Sequence, residues 1–140
     1  MIELNNESGV AVDTERLVQL ATFALDALRI HPQAELSILL VDPQTMSAYH
    51  EKFMGEPGPT DVLSFPMDEL RAPEPDEEPP LGLLGDIVLC PEVTATQAAD
   101  SNRTPEEEAD YLLIHGLLHL LGHDHAEPAE KKVMFDLNDK

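Results

Sequence analysis

The sequence predicts an α+β fold: a single domain in which a small four-stranded mixed sheet is covered by about five helices. Three observations lead there. The 140 residues are 42% hydrophobic, enough for one compact core but too short to argue for two. Short apolar runs of strand character interleave with segments whose apolar residues recur at helical spacing. Each apolar sheet face then needs a helical cover, which gives two or three layers. No internal repeat is present.

The elements follow in order. Ile2 to Asn5 predicts a short strand, and Asp13 or Thr14 caps a helix whose inner face is Leu17, Leu20, Ala21, Ala24, Leu25 and Leu28. His31 and Pro32 end it, and Glu35 to Val41 reads as a buried strand. Asp42 and Pro43 open a second helix running through Met46, Tyr49 and Phe53 toward Gly55. After the turn at Glu56 to Pro59 comes a strand at Asp61 to Phe65. Asp68 to Pro80 is acidic, proline-rich and nearly empty of core formers, which predicts a mobile loop. Leu83 to Cys90 is the fourth strand, and Pro91 to Ala99 a helix.

The next helix has the clearest start. Thr104 and Glu107 form a capping box, Pro105 suits the first turn, and Glu106, Glu107 and Glu108 complement the positive helix end. Leu112, Leu113, Leu117, Leu118, Leu120 and Leu121 leave it little polar surface, so it is predicted to be central, with Gly122 as its stop. A terminal helix is expected from Glu127, burying Val133, Met134 and Leu137. Cys90, the single cysteine, has no disulfide partner and reads as a buried thiol at a strand end.

A net charge of −20 excludes the usual basic stripe of nucleic-acid binders, since the eight Lys and Arg residues are scattered. No apolar run approaches the roughly 18 residues of a membrane span, and Met1 to Gly9 does not resemble a signal peptide, so a cytoplasmic protein without a membrane partner is expected.

Four of the six histidines lie in HGLLHLLGHDH, from His115 to His125. Positions i and i+4 share a helix face, so His115 and His119 can converge on one ion. His123 continues the spacing of four, but eight residues of helix put it about 12 Å from His115 along the axis, against Zn–N bonds of about 2 Å. A turn at Gly122 brings back Asp124 or His125, and His125 is the better third ligand because its imidazole matches the other two. A lone histidine on an apolar helix would be a satisfied core residue. A pair, a helix-ending glycine and a third histidine make a narrower pattern: one metal ion, zinc or another divalent metal, at the end of the central helix. Three protein ligands leave a position for water, the arrangement of a catalytic zinc site. The same spacing occurs in metzincin peptidases, HExxHxxGxxH, but here Gly116 stands where their glutamate base would be.

HGLLHLLGHDH resembles the signature of the YbeY family of rRNA maturation factors. PTDVLSFPMDE, Pro59 to Glu69, and LGDIVLCPEV, Leu84 to Val93, resemble that family's two central motifs in the same order. The resemblance spans the chain and implies an α+β metallo-endoribonuclease specific for single strands. It would trim ribosomal RNA at the small-subunit 3′ end and act in ribosome quality control, with the ribosome or a ribosomal protein as partner. The family's metal histidines map to His115, His119 and His125. Two positions depart from the family pattern: Phe53 and Met54 replace a common Tyr-Arg pair, removing a basic substrate contact, and His123 stands where tyrosine is frequent. Affinity for RNA then falls to the metal ion, to Arg103 or Lys52, or to a partner that presents the strand.

No side chain beyond the ligands is assigned a catalytic role. Ser64, Asp86 and Asp124 are candidates to support the ligands: Asp86 as a carboxylate inside an apolar strand, Asp124 by adjacency to His125, Ser64 within PTDVLSF. Asp61 reads as a turn former. Two other functions compete: a metallopeptidase-like hydrolase, and a non-catalytic ribosome-assembly factor with a structural ion.

Overall fold

The computed structural model describes residues 2–68, 70, 73–79 and 81–121. It contains β1 (Ile2–Asn6), α1 (Thr14–Ala27), β2 (Glu35–Leu40), α2 (Pro43–Met54), β3 (Val62–Pro66), β4 (Leu83–Leu89), α3 (Pro91–Asp100) and α4 (Pro105–Leu120). The sheet is four-stranded and mixed, in the order β1-β2-β4-β3. β1, β2 and β4 run parallel, and β3 returns antiparallel against β4. Among the described residues there are four helices. The expected fifth, from Glu127, and the stop at Gly122 lie outside them.

Side chains alternate between the sheet faces, and the register sorts them. Val62 pairs with Leu89 and Ser64 with Ile87. Ile87 and Leu89 belong to the main core with Leu17, Ala21 and Leu25 of α1 and Leu113, Leu117 and Leu118 of α4. Leu63 pairs with Val88 and Phe65 with Asp86. Leu63 and Val88 join Met46 of α2, Val41 and Cys90 in a second core, with Phe65 packed against it. Thus α1 and α4 cover one face, and α2 covers part of the other. Burial pushes the Cys90 thiol pKa up, in keeping with an inert structural cysteine.

Local chemistry sets the helix ends. The Asp13 carboxylate accepts from the Arg16 amide and opens α1. α1 stops at Ala27, earlier than the sequence suggested, because Arg29 adopts φ 60° and the Ile30 and Arg29 amides turn back onto Leu25 and Asp26 carbonyls. α3 ends the same way: Asn102 has φ 57°, and the Arg103 amide donates to the Ala98 carbonyl at 2.9 Å. The first strand extends to Asn6. β3 starts one residue later than expected because the Asp61 carboxylate is occupied with the Val62 amide and the Thr60 hydroxyl. From Asp68 to Pro80 no described residue is in a helix or strand; Arg29 donates to the Glu74 and Glu77 carbonyls, and Asp68 accepts from the Leu83 amide.

At the start of α4 both halves of the capping box form. The Glu107 amide donates to Thr104 Oγ1 at 3.1 Å, and the Thr104 amide donates to Glu107 Oε1 at 2.9 Å. Thr104→Ala removes the cap and should cost about 1 kcal/mol, read as a lower melting temperature. The bond from the Thr104 amide holds the Glu107 carboxyl below its usual pKa. A depressed carboxylate pKa stabilises the fold above the unfolded pKa and is lost as pH falls through the folded one. The gap in melting temperature between wild type and Glu107→Ala, which removes that carboxylate, should therefore narrow on acidification.

Candidate metal centre

α4 is buried almost all round: Leu112, Leu113, Ile114, Gly116, Leu117, Leu118 and Leu120 are all inside. A helix so placed has few directions in which a polar side chain can reach solvent. His115 and His119 use one of them, half-buried on the same stripe. Their Nε2 atoms approach to 3.1 Å, with ring centroids 4.5 Å apart and planes at 71°. Two imidazole nitrogens on one tetrahedral zinc, each bonded at about 2.0–2.1 Å, stand about 3.3 Å apart, so the pair fits an ion of that kind. Among the described residues no group of three or more His, Cys, Asp or Glu side chains gathers there. Asp124 and His125 lie outside the described residues, as does His123.

Gly116 has a different duty from the histidines beside it. It faces the sheet, where an added Cβ would stand 3.0 Å from Ser64 Oγ, 3.2 Å from Ile87 Cγ2 and 3.4 Å from Val62 Cγ2. Ser64 donates to the Gly116 carbonyl at 3.2 Å, pinning the helix to β3 one residue from His115. The position that carries glutamate in metzincins is therefore a packing contact here, with no room for a carboxylate.

The other candidates separate. Ser64 supports the histidine helix through that backbone bond. Asp86 lies on the opposite sheet face, in register with Phe65 and Ser37, and borders a shallow hollow with Glu3, Ser37 and Met67. The sheet therefore stands between Asp86 and α4. Strand parity, readable from Ile87 and Leu89 as core residues, was the signal that places it there.

Tyr111, which the sequence did not single out, and Arg103, which it offered as an RNA contact, lie next to the pair. Tyr111, four residues before His115 and so on its face, stacks with it at 6.2 Å and 7°. Arg103 lies 5.4 Å over the Tyr111 ring, and its Nη2 is 3.3 Å from the buried Glu108 carboxylate. That approach satisfies an ion pair but not hydrogen-bond geometry, since Glu108 Oε1 has no hydrogen-bond partner. Elsewhere Arg16 is taken up by a two-pronged contact with Asp110, 2.7 and 2.6 Å. Burial pushes the Asp110 pKa up, outweighing the opposite pull of Arg16. Lys52 lies 5.3 Å over Phe53 at the exposed end of α2, beside the exposed Met54.

A mixed four-stranded sheet covered on one face by α1 and α4, with paired imidazoles on α4, defines a small α+β domain of one kind. Within that class the chain belongs to the YbeY endoribonuclease family, whose model, described as "Endoribonuclease YbeY", matches residues 2–140. The chain is 75% identical over 140 residues to the Endoribonuclease YbeY of Cutibacterium acnes, covering 100% of this chain and 90% of that protein. It is 55% identical over 139 residues to the Endoribonuclease YbeY of Thermobifida fusca, covering 99% and 90%. The solution structure of a Thermotoga maritima protein, 29% identical, superposes with a TM-score of 0.63 over 97% of this chain and 83% of that one.

Proposed function

We propose that this family member cuts single-stranded ribosomal RNA in the cytoplasm, at the small-subunit 3′ end and in ribosome quality control, using one zinc-class ion on His115, His119 and His125. The observation that carries the reading is the convergence of the His115 and His119 Nε2 atoms at 3.1 Å on a half-buried stripe of a largely buried helix. When bound, the ion supplies an acidified water and positive charge against the phosphate. The chain's own residues hold it in place: Ser64 and Gly116 fix the helix on β3, so the ring pair is presented from a rigid element. Single strands are favoured because Arg16 and Arg29 are committed to internal partners, which leaves only Lys52 and Arg103 among the described basic residues to meet phosphates. No helix among the described residues is long and apolar enough to cross a membrane.

The test is incubation of metal-replete and chelated protein with single-stranded RNA, duplex RNA and casein, with His119→Ala as the control for contaminating nuclease. Single-stranded RNA should be cut, cutting should vanish with chelator, and zinc should restore it before metals that suit oxygen ligands. Duplex RNA and casein should stay intact. Metal-dependent proteolysis lost in His119→Ala, with RNA untouched, would restore the peptidase reading. RNA bound but never cut by the metal-replete protein would leave an assembly factor.

A further inference from the structure

A chain of −20 charge that works on RNA needs a place where the strand can be held beside the ion. We propose that Tyr111 and Arg103 form a nucleotide subsite next to the His115–His119 pair, where a base of single-stranded RNA stacks on Tyr111 and Arg103 takes the adjoining phosphate. This rests on the ribonuclease reading. Tyr111 is a large aromatic left 42% exposed on a helix that otherwise hides its apolar residues. Its ring lies 6.2 Å from the His115 ring with the planes within 7°, so a base held at the tyrosine is one ring away from the histidine pair. Arg103 is built in rather than trailing. Its amide is fixed by the chain reversal that ends α3, its guanidinium lies 5.4 Å over the ring, and Glu108 holds Nη2 from beneath at 3.3 Å. The side chain is still 41% exposed, so the cation keeps an edge for a phosphate oxygen. A part-exposed aromatic ring with a guanidinium lying over it is equipment by which proteins hold single strands without reading their sequence. Glu108 acts through Arg103, as a positioning residue.

The experiment uses metal-loaded full-length protein and a short single-stranded RNA, together with versions carrying one abasic nucleotide at each position. KM, kcat, equilibrium binding and metal content are measured for wild type, Tyr111→Leu, Tyr111→Phe and Arg103→Gln. Tyr111→Leu should weaken binding and raise KM roughly 5- to 150-fold, with metal content unchanged and kcat moved far less. Tyr111→Phe, which keeps the ring, should stay near wild type. One abasic position should cost wild type as much as Tyr111→Leu does, and cost Tyr111→Leu little more. Arg103→Gln should reduce the slope of log binding constant against log salt by about 0.7. Wild-type cutting with unchanged KM and binding in Tyr111→Leu overturns the subsite alone, as does a loss explained by lost metal. A wild type that neither binds nor cuts RNA overturns the ribonuclease reading and the subsite with it.

Discussion

His115→Ala and His119→Ala should each take the bound ion from one per chain to almost none after dialysis, and metal-dependent RNA cleavage with it. The two Nε2 atoms are 3.1 Å apart, so removing either ring leaves a single imidazole on the helix, and one donor does not hold a divalent ion against buffer. Residues that only orient a ligand cost about 10- to 100-fold in metal affinity when lost, and a ligand should cost more. The fold should survive. Both rings are only half-buried, alanine is the better helix former, and the apolar contacts of α4 come from its other faces. Helix content by circular dichroism should therefore match wild type while elemental analysis finds the metal gone. His125→Ala should behave like the pair and His123→Ala only weakly. The reverse order for those last two would mean that the third ligand has been misassigned.

The legibility of this chain varies by the kind of physics involved. Patterns that act within a few residues read directly: Thr104 and Glu107 at α4, Asp42 with Pro43 at α2, and the stripe of Leu17, Ala21, Ala24 and Leu25 in α1 all appear as the spacing predicts. The early end of α1 did not, because the left-handed position that stops it is held by Arg29, and arginine carries none of the turn signal of glycine. The histidine pair was legible since i, i+4 spacing fixes a face by itself. Its neighbours were only half so. Tyr111 shares the same spacing with His115, but Arg103 reaches the ring through a helix reversal at Asn102, which no periodicity reveals. Asp86 shows the converse. An acid in an apolar strand suggests a role near the ion, but its alternation with Ile87 and Leu89 sends it to the other face, as the pairing with Phe65 and Ser37 rather than Ser64 shows.

Gly85→Ala should be the most damaging single substitution outside the metal ligands, lowering stability by about 3 kcal/mol or more, or roughly 10 °C in melting temperature for a domain of this size. Gly85 has φ +136°, a backbone conformation that alanine rarely adopts and that costs about 1–3 kcal/mol when forced. An added Cβ would also lie 2.1 Å from the Phe65 carbonyl oxygen and 3.0 Å from Pro66 Cα. Those are backbone atoms of β3, in register with β4 at Pro66 opposite Gly85, so relief requires opening the ladder. The register between β2 and β4 shifts beside it, which shows the strand already using glycine to absorb an irregularity. Gly116→Ala is the informative contrast. Its tightest contact is the end of the Ser64 side chain, which can rotate away at the loss of one hydrogen bond of about 1 kcal/mol. Replacing glycine inside a helix returns a similar amount, so that variant should melt close to wild type. Gly116→Glu has no such escape among Ser64, Ile87 and Val62, and should unfold rather than convert the site to a peptidase. Thermal melts of the three variants decide the matter: a Gly85→Ala protein within about 1 kcal/mol of wild type would mean that the β3–β4 ladder gives way far more easily than its backbone contacts imply.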